Sequence, residues 1–98
     1  MPTPKDQERL FGHVAELPCQ IPGCGRHGVQ VSHSNQSRDG KGLSLKSYPW
    51  RVAAICPEHH VEIDSGKNLS RLERVDMWED AHRATIGELF RLGKIRPV

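Results

Sequence analysis

The sequence predicts a small α+β domain, and three patterns along the chain support this fold class. Val29 to His33 alternates apolar and polar residues, which indicates a half-buried β-strand. Arg51 to Ile55 is a short, largely apolar run that is typical of a buried strand. Ser70 and Glu73 form a capping box, and apolar residues then recur at three- and four-residue steps until Gly93. This last pattern predicts a long C-terminal helix over residues 70–93.

Between the second strand and the long helix, the sequence predicts a shorter helix. Pro57 suits the first position of a helix, because the backbone N–H that proline lacks would have no partner there. Gly66 is a suitable stop, since glycine readily adopts the left-handed backbone that ends many helices. We therefore expect a helix from Pro57 to about Asp64.

The length of 98 residues fits one domain with a thin core. We divide the chain into an N-terminal arm over residues 1–16, with a short helix near Gln7–His13, and a domain over residues 17–98. Within this domain, a Gly- and Pro-rich turn over residues 17–28, here called the knuckle, precedes a strand–strand–helix unit over residues 29–66. Three cysteines and six histidines are candidates for additional stabilisation through a metal.

The formal net charge of +2 favours no particular partner, but its distribution does. Between residues 26 and 51 the chain carries five basic residues and only one acidic residue, a local net charge of +4. This basic stretch predicts contacts with phosphates of a nucleic acid, DNA in the first instance. The candidate phosphate-binding residues are Arg38, Lys41, Lys46 and Arg51.

Membrane and secretory classes are not expected. No segment approaches the roughly 20 apolar residues of a membrane span, and the first ten residues contain no apolar stretch typical of a signal peptide. An odd number of cysteines also argues against a fully paired disulfide framework. We therefore expect a cytoplasmic protein; the sequence does not predict its oligomeric state.

The cysteines and one histidine have the spacing of a structural zinc site. Cys19-x4-Cys24 lies in the knuckle, and Cys56-x2-His59 follows the second strand. His60 could replace His59, so we use helical geometry to choose between them. Residues four apart share a helix face, which places His59 over Ile63 and His60 over Asp64. We assign His59 to the zinc, with His27 in the knuckle as an alternative ligand.

His60 and Asp64 then remain for a second, catalytic divalent cation such as Mg²⁺ or Mn²⁺. His33 ends the first strand, and an imidazole is a suitable general base for deprotonating water. Together these residues predict a metal-dependent endonuclease that hydrolyses phosphodiester bonds. One alternative is a non-catalytic nucleic-acid-binding module with the same zinc site. Another is an adaptor whose long helix docks a partner through Leu89 and Phe90.

The order of these motifs resembles the HNH, or ββα-metal, nuclease family in its zinc-containing form, and more narrowly the small prophage-encoded nucleases of the YbcO type. The resemblance rests on the Cys-x4-Cys knuckle, the strand ending in His33, and the segment Cys56-x2-His59-His60-x3-Asp64. It covers residues 17–98 and implies the ββα-metal fold. It also implies that His33 is the general base and that His60 and Asp64 bind the catalytic cation.

Two positions depart from the family pattern. Ser32 stands where many members have a metal-binding Asp or His, which implies fewer protein ligands for the catalytic cation. Arg51 stands in place of the middle Asn, which usually fixes the loop that holds the base. The resemblance therefore implies that Arg51 or Asn35 takes over this role, or that the base is held more loosely.

Overall fold

The computed structural model describes residues 3–34 and 50–95, and these residues confirm the α+β class. In chain order, the elements are α1 (Pro4–Ala15), β1 (Gln30–His33), β2 (Val52–Ile55), α2 (Pro57–Ser65) and α3 (Arg71–Arg91). Both strands and the last two helices begin within one residue of their predicted starts. α2 ends as expected, with Gly66 in the left-handed conformation at φ 59°.

The two strands form an antiparallel sheet whose two faces differ. Gln30 pairs with Ile55 and His33 with Val52, so each strand alternates its side chains between the same two faces. Ile55 packs in a core cluster that includes Ile63 of α2 and Trp78 of α3, and this side is here called the α2 face. Val52 packs in a second cluster on the other side, here called the α1 face.

All four residues of β2 are buried because helices cover both faces and one edge of this strand. On the edge away from β1, the backbone N–H of Ala54 donates to Thr85 Oγ at 3.0 Å, and its carbonyl accepts from the N–H of Gln20 at 2.9 Å. These bonds satisfy backbone groups that would otherwise be exposed at a strand edge. They also attach α3 and the knuckle to the sheet.

The capping box predicted for α3 is present. Ser70 Oγ accepts from the N–H of Glu73 at 3.1 Å, and the Glu73 carboxylate accepts from the N–H of Ser70 at 2.9 Å. The buried residues of α3 are Trp78, Ala81, Thr85 and Leu89, which recur at the predicted three- and four-residue steps. Leu89 is fully buried, so it cannot serve as an exposed anchor for a partner. Phe90, at the next position, is 45% exposed.

The N-terminal helix is longer than the short segment predicted near Gln7–His13. Its start is set by a second capping box, in which Thr3 Oγ accepts from the N–H of Asp6 at 3.1 Å. Val14 and Leu17 are buried against the α1 face of the sheet. The sequence did not predict this contact, because α1 is mostly polar and only a few of its apolar residues touch the core. Across residues 3–34 and 50–95, every helix is too short or too polar to cross a membrane.

Candidate metal centre

The knuckle is a compact turn whose shape depends on glycines with positive φ. Gly23 and Gly25, on either side of Cys24, have φ of 82° and 68°, values that residues with a Cβ rarely adopt. The N–H of Cys24 donates to the carbonyl of Ile21 at 3.0 Å, and the N–H of Cys19 donates to the carbonyl of Arg26 at 2.7 Å. The turn thereby brings two cysteines, separated by four residues in sequence, to one side.

The other half of the centre comes from the start of α2. Cys56 is the N-cap, Pro57 occupies the first helical position, and His59 follows in the first turn. Residues three apart on a helix lie on the same face, which brings Cys56 Sγ within 3.2 Å of His59 Nδ1. The N-cap geometry therefore supplies the second pair of ligands.

The four predicted zinc ligands, Cys19, Cys24, Cys56 and His59, come together as one Cys3His cluster. Their ligand atoms all lie within 4.8 Å of one another. Cys24 Sγ is 3.9 Å from Cys56 Sγ, and Cys19 Sγ is 3.9 Å from His59 Nδ1. For zinc bonds of about 2.0–2.3 Å, tetrahedral ligands are spaced about 3.5–3.8 Å apart, so the cluster fits a structural zinc. The histidine presents Nδ1, a detail that its spacing in the sequence does not reveal.

The surroundings of the two knuckle sulfur atoms shift the pKa values of their thiols in opposite directions. Burial raises the pKa of the Cys19 thiol to about 11, although the N–H of Cys56 donates to Cys19 Sγ at 3.3 Å and opposes this rise. The pKa of the Cys24 thiol is lowered, chiefly by a hydrogen bond from the backbone N–H of Arg26. Backbone N–H groups directed at sulfur stabilise a thiolate, and a bound cation displaces the thiol proton. The cluster is therefore suited to binding a cation as thiolates.

The neighbouring histidine on α2 belongs to a different group. His60 Nε2 lies 3.1 Å from Asp64 Oδ2, one helical turn later. The side chains of His60 and Asp64 remain 29% and 45% exposed. The distance is that of a direct contact between a histidine and a carboxylate at positions i and i+4 of one helix. We call His60 and Asp64, which the sequence predicts to hold a second divalent cation, the second cation site.

His33 lies on the opposite face of the sheet from the second cation site. Its exposed imidazole packs edge-to-face against Phe11 of α1, with 5.2 Å between ring centroids. Gln30, three residues earlier in the same strand, contacts His60 on the α2 face. The alternation of side chains along β1 explains this division. The structure thus brings His60 and Asp64 together and places His33 on the sheet's other face, at the end of β1.

Arg51 is held against α3. Its guanidinium forms an ion pair with Glu79 and lies over the ring of Trp78, 4.9 Å from the centroid. The carbonyl of Arg51 accepts from the N–H of Ser34, next to His33, at 3.1 Å. Arg51 therefore fixes the end of the sheet, while its predicted contact with phosphate competes with the Glu79 pair. The other candidate phosphate-binding residues, Arg38, Lys41 and Lys46, lie outside the described residues, as does Asn35.

Sequence reasoning missed two polar contacts on the α2 face. Ser32, at the position of a family ligand, is buried, and its hydroxyl accepts from Trp78 Nε1 at 3.0 Å. Gln30, which shares this face by strand alternation, contacts His60 Nδ1 instead. The period of two along β1 was the available signal for Gln30, since it places residues 30 and 32 on the same side.

The remaining histidines near these sites are outside the Cys3His cluster. His27 is exposed in the knuckle and is not among the clustered ligands, which resolves the choice of fourth ligand in favour of His59. His82 stacks on Trp78 with 5.2 Å between centroids, and its Nδ1–H donates to the carbonyl of Val52 at 2.7 Å. His82 thus contributes to packing between α3 and β2.

Comparisons with family models, curated proteins and solved structures find no significant match to this chain. The structure itself shows a small α+β chain in which two strands precede a helix and a Cys3His cluster can bind a metal. Inference about function therefore depends on the chemistry of the residues that the fold brings together.

Proposed function

We propose that this protein is a divalent-metal-dependent endonuclease that hydrolyses phosphodiester bonds in DNA, within the HNH, or ββα-metal, architecture. The observation that carries the proposal is the approach of His60 Nε2 to Asp64 Oδ2 at 3.1 Å on a helix whose first turn contributes to the Cys3His cluster. A nitrogen and a carboxylate oxygen at this spacing are suitable ligands for a catalytic divalent ion.

The two metal groups have distinct roles in this proposal. Zinc in the closed Cys3His cluster holds the knuckle against the start of α2 and thereby fixes the orientation of the helix. The partly exposed second cation site remains accessible to a substrate. His60 and Asp64 would hold Mg²⁺ or Mn²⁺ there, and the ion would supply positive charge to the scissile phosphate and to the leaving 3′ oxygen.

His33 is the proposed general base, a role that requires its imidazole, at the end of β1 on the α1 face, to reach around the strand end to a phosphate held by His60 and Asp64 on the α2 face. Its imidazole nitrogen accepts a proton from a water molecule whose oxygen bonds to phosphorus, while the bond from phosphorus to the 3′ oxygen breaks. The departing 3′ oxygen takes a proton from solvent, which balances the hydrolysis. The backbone carbonyl of Arg51 accepts from the N–H of Ser34 next to His33. Arg38, Lys41 and Lys46 are proposed to bind the DNA backbone, together with Arg51 when its guanidinium leaves Glu79.

A plasmid-nicking assay tests the proposal. Zinc-loaded protein with added Mg²⁺ or Mn²⁺ should convert supercoiled plasmid to the nicked form, and both His60→Ala and His33→Ala should reduce the rate at least ~100-fold. His27→Ala is the matched control, because this exposed histidine is outside both metal groups. Nicking that persists in folded, zinc-containing His60→Ala and His33→Ala proteins would contradict the proposal.

One observation favours a second candidate, a nucleic-acid-binding module that does not cleave. His33 packs on Phe11 at the α1 face, whereas His60 and Asp64 lie on the α2 face. This candidate predicts DNA binding that weakens steeply with salt and no nicking with any divalent ion. Titration of fluorescent DNA at several salt concentrations, together with the nicking assay, distinguishes the two functions.

A further inference from the structure

Gln30 is the residue of β1 that approaches the second cation site. It opens the strand opposite Ile55, on the face covered by α2. Its Oε1 is 2.5 Å from His60 Nδ1, and the other ring nitrogen of His60 is 3.1 Å from Asp64 Oδ2. Each nitrogen of the imidazole thus has its own oxygen partner, one from the strand and one from the same helix.

This arrangement constrains the proton on the imidazole. The Gln30 carbonyl oxygen only accepts hydrogen bonds, so a short contact with Nδ1 requires a proton on that nitrogen. In a neutral imidazole, Nε2 then has a lone pair, and this lone pair faces the Asp64 carboxylate, which is also an acceptor. An imidazolium would satisfy both oxygen acceptors with its two N–H groups. In the neutral form, Nε2 and Asp64 Oδ2 can instead share a divalent cation that lies to one side of the line joining them, at about 2.0–2.1 Å from each. If the amide of Gln30 were reversed, Nδ1 would accept and Nε2–H would simply bond to Asp64.

We propose that Gln30 is a positioning residue that holds His60 in the Nδ1–H tautomer, so that Nε2 and Asp64 bind a divalent cation together. Histidines that bind metals commonly donate the other ring N–H to an oxygen acceptor, which fixes the tautomer and the ring orientation. Gln30 is placed for this role by its contact with His60 Nδ1. Ser32, the other polar residue of β1 on this face, is bonded to Trp78 instead. The inference rests on the second cation site of the proposed function.

Two substitutions at Gln30 distinguish the effect of its carbonyl acceptor from the effect of its side-chain length. Gln30→Met retains the length of the side chain but has no carbonyl oxygen, whereas Gln30→Glu retains an acceptor at the same place. Gln7→Ala is the control, because α1 contributes no residue to the Cys3His cluster or to the His60–Asp64 pair. The first measurement is the tautomer of His60, from long-range ¹⁵N–¹H NMR spectra of zinc-loaded protein at mildly alkaline pH. The second is Mn²⁺ affinity, measured by electron paramagnetic resonance without DNA.

We expect the Nδ1–H tautomer in the original protein and in Gln30→Glu, and a shift toward Nε2–H in Gln30→Met. Mn²⁺ should bind Gln30→Met about 10–100-fold more weakly, while Gln30→Glu and Gln7→Ala retain tight binding. An Nε2–H tautomer in the original protein, or Mn²⁺ affinity unchanged in Gln30→Met, would overturn the assignment of Gln30.

His60→Ala distinguishes this failure from failure of the proposed function. If His60→Ala abolishes Mn²⁺ binding while Gln30→Met leaves it intact, the second cation site stands and only the role of Gln30 is wrong. If His60→Ala leaves Mn²⁺ binding unchanged, both the site and the role of Gln30 are wrong. Loss of binding in His60→Ala and weakening in Gln30→Met support both.

Discussion

His59 and His60, neighbours on α2, lie in two different environments. His59 joins three cysteines in a cluster that offers four ligand atoms, two of them on buried residues. His60 faces Gln30 and Asp64, where the side chains stay partly open to solvent. Successive helix positions point in directions about 100° apart, so one residue step separates the two environments.

Under the proposed function, the domain would divide stability and chemistry between these two adjacent residues. A metal with four protein ligands has no open position and contributes mainly to folding, whereas a metal held by two protein groups retains positions for water or substrate. We expect changes on the His59 side to affect folding and changes on the His60 side to affect binding of the second metal.

The largest expected effect is the difference in stability between alanine variants of the two histidines. His59→Ala should lose zinc and destabilise the fold by ~3 kcal/mol or more, because the remaining thiolates then lack a complete tetrahedral site. His60→Ala, its matched control, should keep zinc and lose no more than ~1 kcal/mol. Elemental analysis and thermal unfolding measure both quantities. Equal stability of the two variants would remove the basis of the comparison.

An intermediate effect is expected where α3 supports the same sheet without a metal. Glu79→Gln leaves the Arg51 charge largely buried, since only 12% of the Arg51 side chain is exposed, and should cost about 2–3 kcal/mol. Asp80 follows Glu79 in the sequence and forms an exposed pair with Arg83. Asp80→Asn breaks this pair and should lower the free energy of unfolding by less than ~0.5 kcal/mol. Urea unfolding compares them. A cost for Asp80→Asn equal to that of Glu79→Gln would show that burial does not set the difference.

The smallest expected effect is at the end of α2, just beyond Asp64. Gly66→Ala should destabilise the protein by about 1–2 kcal/mol, because Gly66 has φ 59° and an added Cβ would lie 2.5 Å from Cδ of Arg74. Gly12→Ala in α1 should stabilise it by about 0.5–1 kcal/mol, since the added Cβ meets no atom within 4 Å apart from its chain neighbours and the backbone of its own helix. Thermal unfolding gives both signs. Stabilisation by Gly66→Ala would contradict a required left-handed helix end.

Local signals in the sequence predicted much of the fold. The capping box at Ser70, the proline at position 57 and the glycine at position 66 each act within one helical turn, and all are observed at their predicted places. The extent of α1 was missed. Its Thr3–Asp6 capping box is just as local, but the apolar residues that anchor α1 are too sparse to reveal its contact with the sheet.

For the candidate site, the sequence determined the ligand set of the Cys3His cluster and the pairing of His60 with Asp64. Both follow from short-range geometry: a tight turn at Cys19 and Cys24, and fixed angles between positions on one helix. Only the tertiary structure decided that Gln30 meets His60, that Ser32 is bonded to Trp78, and that His33 faces Phe11. These contacts depend on which helix covers each face of the sheet, and packing between distant segments sets that choice.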